Sequence, residues 1–282
     1  MAIVRLQHIG IAVPDLRAAC DCFEQLYGLT ARDYRNDQGR GMQLDARILL
    51  GNACWLHVVQ NWNPESRVYQ FLDKQGPGLE HIALQTDNIE QDVQHLRELG
   101  LPIYNDKIFN APDGFEAFIY PDQTLCMTVE LIQPHATSWT YPAVNTPISS
   151  ALGITQLQHI GIAVRDVQAV CKRFQELFGL TADGTQFKHA GADSSARIPL
   201  GNACSLQFMA SQNPQSPIYQ YLNKQGAGLE HIALTTNRLQ QDVQHLNAAG
   251  AHPSDFENGT EQAVRIERDD ATGTTVELVQ PE

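Results

Sequence analysis

Along residues 6–13 the chain alternates: Leu6, His8, Gly10 and Ala12 fall on one side of an extended backbone, Ile9, Ile11 and Val13 on the other. The alternation predicts a strand. Pro14-Asp15 then opens a helix, with Asp15 as N-cap and Gly28 as its stop. Its apolar stripe is Leu16, Ala19, Cys20, Phe23, Leu26 and Tyr27. Residues 42–50 and 53–59 read as a hairpin turning at Gly51-Asn52, and Tyr69, Phe71 and Leu72 mark a short helix. The plan then restarts. Gly76 and Gly78 precede a strand over 79–86, and a helix from about Asn88 to Leu99 buries Ile89, Val93, Leu96 and Leu99 before Gly100. Strands near 115–120 and 125–132 close the second unit. Each unit is a strand, a helix and a run of strands: βαβββ.

The pattern itself repeats. Lys74-Gln75-Gly76-Pro77-Gly78-Leu79-Glu80-His81-Ile82-Ala83-Leu84 returns as Lys224-Gln225-Gly226-Ala227-Gly228-Leu229-Glu230-His231-Ile232-Ala233-Leu234. Leu6-Gln7-His8-Ile9-Gly10-Ile11-Ala12-Val13 returns at 157–164, Leu50-Gly51-Asn52-Ala53-Cys54 at 200–204, and Thr128-Val129-Glu130-Leu131 at 275–278. This is duplication of a whole domain. The expected architecture is α+β, with four βαβββ modules paired into two open, curled-sheet, barrel-like halves. The first half spans 1–134, a linker 135–155 and the second half 156–282. Pro142 and Pro147, with Thr and Ser, mark the linker, and Trp139 and Tyr141 are expected to pin it to a surface.

Composition narrows the function. A chain of 282 residues suits two domains with real cores, and 43% hydrophobic against 18% charged residues is a globular balance. A net charge of −13 argues against a nucleic-acid partner, which needs clustered Lys and Arg, and against an anionic membrane surface. No apolar run has transmembrane length. Met1 to Arg5 are expected to lead straight into a strand rather than act as a leader. The six cysteines lack zinc-like CxxC spacing, so reduced thiols in a cytoplasmic protein are expected.

Chemistry sits where the apolar pattern is interrupted. Each strand that opens a module carries a histidine: His8, His81, His159 and His231. An imidazole on an apolar strand face needs a partner. The spacing from His8 to His81 also separates His57 from Glu130, and nearly the same spacing links Gln207 to Glu277. Polar residues therefore recur at equivalent places in linked modules: His8, His57, His81 and Glu130 in the first half, and His159, Gln207, His231 and Glu277 in the second. If each module's first and last strands are neighbours in a curled sheet, each quartet points into one cavity. Histidine and carboxylate suit a divalent Fe, Mn, Co, Ni or Zn ion, and four protein ligands leave open positions for catalysis. His95 and His245 fall on predicted helix surfaces and are read as structural.

These residues resemble the vicinal oxygen chelate superfamily, which includes glyoxalase I, methylmalonyl-CoA epimerase, extradiol dioxygenases and 4-hydroxyphenylpyruvate dioxygenase. His-Ile-Gly-Ile-Ala-Val, Gly-Leu-Glu-His-Ile-Ala-Leu and Val-Glu-Leu carry the resemblance, over nearly all of both halves. Ser216-Pro217-Ile218, Tyr221-Leu222 and Lys224-Gln225-Gly226 are most similar to the epimerase branch. That branch implies a His, Gln, His, Glu ligand set, matched at His159, Gln207, His231 and Glu277; the first half departs at His57. It also implies a base on the strand before the glutamine strand, near Asp45, where the second half has Ser195. The implied activity is isomerase or lyase chemistry on a small carbonyl substrate through a metal-stabilised enolate, with Asp45 and Glu130 as catalytic carboxylates. An Fe(II) dioxygenase on His8, His81 and Glu130 is the alternative, and a metal-free binding protein the third. One chain would equal a fused pair of epimerase-sized units, acting as a monomer or a homodimer.

Overall fold

The computed structural model describes residues 3–37, 42–121, 125–135, 148, 150–184, 192–258 and 261–281. The first half runs β1 (Ile3–Ala12), α1 (Leu16–Tyr27), β2 (Ala31–Asp37), β3 (Gln43–Leu49), β4 (Trp55–Asn61), α2 (Arg67–Gln75), β5 (Gly78–Thr86), α3 (Ile89–Glu98), β6 (Phe109–Asn110), β7 (Gly114–Ile119) and β8 (Thr128–Pro134). The second runs β9 (Ile154–Ala163), α4 (Val167–Phe178), β10 (Ser194–Pro199), β11 (Ser205–Ala210), α5 (Pro217–Lys224), β12 (Gly228–Thr236), α6 (Leu239–Ala248), β13 (Ser254–Asn258), β14 (Glu261–Ile266) and β15 (Thr275–Gln280). The result is the expected α+β fold of paired βαβββ modules. Residues 185–191 of the third module lie outside the described residues. So do Trp139 and Tyr141 of the expected linker, whereas Ile154 and Thr155 already belong to β9.

Local chemistry explains the elements. Asp15 caps α1 by accepting from the Ala18 N–H, and Gly28 closes it in the left-handed region at φ 64°. Asp166 and Gly179 do the same for α4. Ser66 caps α2 and Ser216 caps α5.

Two sheets form, with strand orders β2-β3-β4-β1-β5-β8-β7-β6 and β10-β11-β9-β12-β15-β14-β13. Within each module the first and last described strands are parallel neighbours: β1 with β4, β5 with β8, β9 with β11, β12 with β15. The two opening strands of each half pair antiparallel. Helix-facing side chains of both halves form one continuous core, including Ile9, Ile11, Phe23, Ile82, Ile160, Phe174 and Phe208.

The hairpin turns clasp the halves reciprocally. Asn202 accepts from the Leu6 N–H, and its side-chain amide donates to the carbonyls of Leu6 (2.9 Å) and Asn52 (2.8 Å). The Asn52 amide donates to the Leu157 carbonyl. A Cβ at Gly201 would lie 2.1 Å from the Val4 carbonyl oxygen, so no larger residue fits this approach.

Two sequence expectations are corrected. Leu99, expected to be buried with Ile89, Val93 and Leu96, sits at the C-cap of α3 and is 42% exposed. Leu6 does not share a face with His8; it joins the helix-side core with Ile9 and Ile11. The pairing shifts between Leu6–Leu84 and His8–Ala83, so Gln7 is a bulged extra residue that resets the alternation.

Candidate metal centres

The bulges build the centres. In β1 the extra residue is Gln7. In β5 it is Glu80, since His81 pairs with Gly10 and Leu79 with Ile11. Gln158 and Glu230 repeat the arrangement. In each case the bulged side chain binds the Nδ1 of the histidine that follows it. The distances are 2.7 Å for Gln7–His8, 2.6 Å for Glu80–His81, 2.9 Å for Gln158–His159 and 2.5 Å for Glu230–His231. An oxygen acceptor at Nδ1 fixes that nitrogen as the donor and leaves Nε2 with its lone pair.

Those Nε2 atoms converge. In the first half, His8 Nε2 and His81 Nε2 lie 3.1 Å apart, and Glu130 Oε2 lies 3.3 Å from the first and 3.1 Å from the second. In the second half, His159 Nε2 and His231 Nε2 lie 3.0 Å apart, with Glu277 Oε2 at 4.0 Å and 3.3 Å. Gly10 and Gly161 make room: a Cβ there would sit 1.9 Å and 2.0 Å from the facing imidazole.

Sequence reasoning placed four residues in each centre; the structure gathers three tightly in each: His8, His81 and Glu130, and His159, His231 and Glu277. His57 stands beside the first trio, its ring centroid 5.2 Å from that of His8, with Nε2 turned 3.3 Å from Asp45 Oδ1. Gln207 is buried opposite Gly161, and its Oε1 has no hydrogen-bond partner among the described residues. His245 is exposed and contacts the Gln25 carbonyl of the other half at 3.2 Å.

Electrostatics follow from burial and pairing. Burial pushes His8 down to about 4, against the pull of Glu130, so its ring is neutral near pH 7. Burial also disfavours charge on His81, but the Glu80 and Glu130 carboxylates together outweigh it and raise it. For Glu80 itself, burial is overcome by Arg67 and His81, which hold it down at about 2. Arg67 also lies 4.3 Å over the Phe118 ring. In the second half Arg265 replaces Arg67, binding Glu230 and, at 3.0 Å, Glu277 Oε1. Burial of Asp45 is likewise overcome by His57, Gln43 and Arg35 together, and its carboxyl is lowered.

The donor sets suit a borderline divalent ion. Ligands at right angles on bonds of about 2.1 Å lie roughly 3 Å apart, the spacing found throughout the first trio and, apart from the 4.0 Å between His159 and Glu277, in the second. Three such acceptor atoms repel one another unless a cation lies among them. The buried, unpartnered Gln207 oxygen is a further donor of the right kind. The two surroundings differ. His8, His81, Asp45, His57, Arg67 and Glu130 line an open cavity of about 390 Å³, whereas His159, His231 and Glu277 are each 0% exposed.

Sequence reasoning missed Gln7, Glu80, Gln158, Glu230, Arg67 and Arg265. The signal was present: Gln-His and Glu-His pairs recur in both halves. Strict alternation hid it by placing neighbours on opposite faces.

A model of the Glyoxalase/Bleomycin resistance protein/Dioxygenase superfamily matches residues 7–120 and 158–266. The chain belongs to that superfamily. An uncharacterized protein of Synechocystis sp. is 22% identical over 260 residues, 88% of this chain and 72% of its own length. Human mitochondrial methylmalonyl-CoA epimerase is 26% identical over 131 residues, 46% of this chain and 73% of the epimerase. A mutant 4-hydroxymandelate synthase from Streptomyces coelicolor superposes with a TM-score of 0.71 at 13% identity, over 99% of this chain and 93% of the synthase, a likeness of fold. Members of the superfamily are generally metal-dependent enzymes, and none of the described helices is long and apolar enough to cross a membrane.

Proposed function

We propose that the first half is the working site of a divalent-metal-dependent enzyme that moves a proton next to the carbonyl group of a small substrate, as an isomerase or lyase. The observation that carries this reading is a second carboxylate beside the trio of His8, His81 and Glu130 in the same cavity: Asp45, buried and paired with His57 at 3.3 Å. His8, His81 and Glu130 would hold the ion. When bound, it would act as a Lewis acid toward the carbonyl. Glu130 Oε2 faces both imidazoles and serves as ligand, and Asp45, the carboxylate held beside the trio by His57, takes the proton. His57 keeps it ionised and aimed. The second half, with Ser195 in place of Asp45, would bind metal without this chemistry.

Deuterium exchange at the α-carbon of 2-oxo acids and acyl thioesters tests the assignment. Asp45→Asn should lose exchange by about a hundredfold or more while keeping its metal. Wild-type exchange in Asp45→Asn, with none in Glu277→Gln, would move the chemistry to the second half.

One observation favours a second reading. With His57 turned to Asp45, the first centre is a two-histidine, one-carboxylate set, the ligand pattern of non-haem Fe(II) oxygenases. Oxygen uptake by Fe(II)-loaded protein with 2-oxo acids or catechols would select it.

A further inference from the structure

The cavity of the first half contains two arginines that the proposed proton transfer does not use. Arg47 follows Asp45 by two positions on β3 and stands opposite His57 in the ladder, so it faces the same cavity. Its side chain is 4% exposed, and its guanidinium lies 5.4 Å over the Trp55 ring, which stacks on His8. Arg35, the ladder partner of Asp45 on β2, reaches the same place. Both converge on one carboxylate. Arg35 donates Nη1 to Asp113 Oδ2 at 2.8 Å and Nη2 to Oδ1 at 3.1 Å, and Arg47 donates Nη2 to Oδ2.

Asp113 comes from the other end of the sheet. It rides on the turn between β6 and β7, closed by hydrogen bonds between Ala111 and Gly114, while β2 and β3 lie at the opposite edge. The contact therefore joins the two ends of the curl and places an acidic group between two guanidiniums. A guanidinium fork fits a planar carboxylate in bidentate fashion. Two of them bring ten N–H donors and two positive charges to a group with about four lone-pair sites and one charge. Asp45, a further carboxylate beside them, is engaged with His57. Among the described residues the second half does not repeat the device: Arg197, equivalent to Arg47, is 39% exposed and pairs with Asp183 at 3.0 Å.

We propose that Arg35 and Arg47 form a carboxylate-recognising subsite, that Asp113 is its resident internal ligand, and that a substrate carboxylate remote from the reacting carbonyl displaces it. The proposal deepens the reading above by naming the substrate class, an acid with a second polar end, and relies on that reading only for where the carbonyl lies. Binding at the subsite frees the β6–β7 turn, and the internal competitor lowers apparent affinity by the fraction of time it occupies the arginines.

Glutarate and its neutral diamide are the probes, titrated by calorimetry into the protein as purified and again after chelation. Asp113→Asn should bind glutarate about tenfold more tightly than wild type, with the diamide unchanged. Arg47→Met added to Asp113→Asn should abolish the gain. In wild-type protein, glutarate should speed hydrogen exchange at the amides of Ala111, Asp113 and Gly114, a readout that needs no variant. Glutarate affinity unchanged or weakened in folded Asp113→Asn, or turn exchange unaffected by glutarate in wild type, overturns the proposal. Metal content measured on the same samples tests the metal reading separately, since subsite binding should survive chelation.

Discussion

A methyl group added at Gly10 would lie 1.9 Å from Cε1 of His81, and one at Gly161 would lie 2.0 Å from Cε1 of His231. The glycines in the two His-Ile-Gly motifs are therefore packing partners of the facing histidines rather than turn residues. Gly10→Ala should displace the His81 ring, cost about 1–3 kcal/mol in chemical denaturation, and remove one metal equivalent per chain while the second remains. His81→Ala and His231→Ala should each empty one centre, and the double variant both, by elemental analysis. Unchanged metal in the double variant would sink the ligand assignment. At the same scale, Glu80→Gln keeps the acceptor at His81 Nδ1 but removes the charge facing Arg67. It should weaken the first centre's metal affinity by about tenfold or more without emptying the second, as read by competition with a chromophoric chelator.

Among the elements, two connections hold what the strands alone do not. The turn at Gly201-Asn202 inserts a buried amide between the halves, where Asn202 meets both the N–H and the carbonyl of Leu6. Removing it leaves buried backbone groups without partners. Asn202→Ala should therefore cost about 3 kcal/mol in urea denaturation, more than Asn52→Ala, whose amide donates to the Leu157 carbonyl. The turn carrying Asp113 ties the sheet's two ends. Burial works against its ionisation, but Arg35 and Arg47 outweigh burial and hold the carboxyl below its ordinary value. A lowered carboxylate stabilises above the unfolded-state value near about 4, and that stabilisation is lost as the pH falls through the folded one. Wild-type stability should thus drop more steeply than that of Asp113→Asn once the pH falls below about 4.

Across the whole molecule the duplication is symmetric in fold and asymmetric in the surroundings of its two centres. The first trio opens onto a cavity; the second is sealed, its three residues 0% exposed and Glu277 held by Arg265. Metal removal by a chelator should be biphasic, with the open centre emptied first and the sealed one only on the timescale of local opening. A single phase accounting for both equivalents would contradict the asymmetry. Much of this was legible in the chain. Apolar periods and repeated Gly-rich stops gave the modules, because a strand or helix that must bury one face records that face in sequence. The recurring histidines and glutamates marked both centres for the same reason: a polar side chain on an apolar face stands out. The sequence could not show that Leu6 changes face, that Gln7 and Glu80 turn toward their own histidines, or that His57 points to Asp45 rather than into the trio. Bulges arise from pairing between strands about 70 residues apart, and no local period encodes them. Nor could it show that Arg35 and Arg47 meet Asp113, or that one centre is open and the other sealed. The two halves share motifs, and only the closure of each sheet decides which side chains complete a cavity and which fill it.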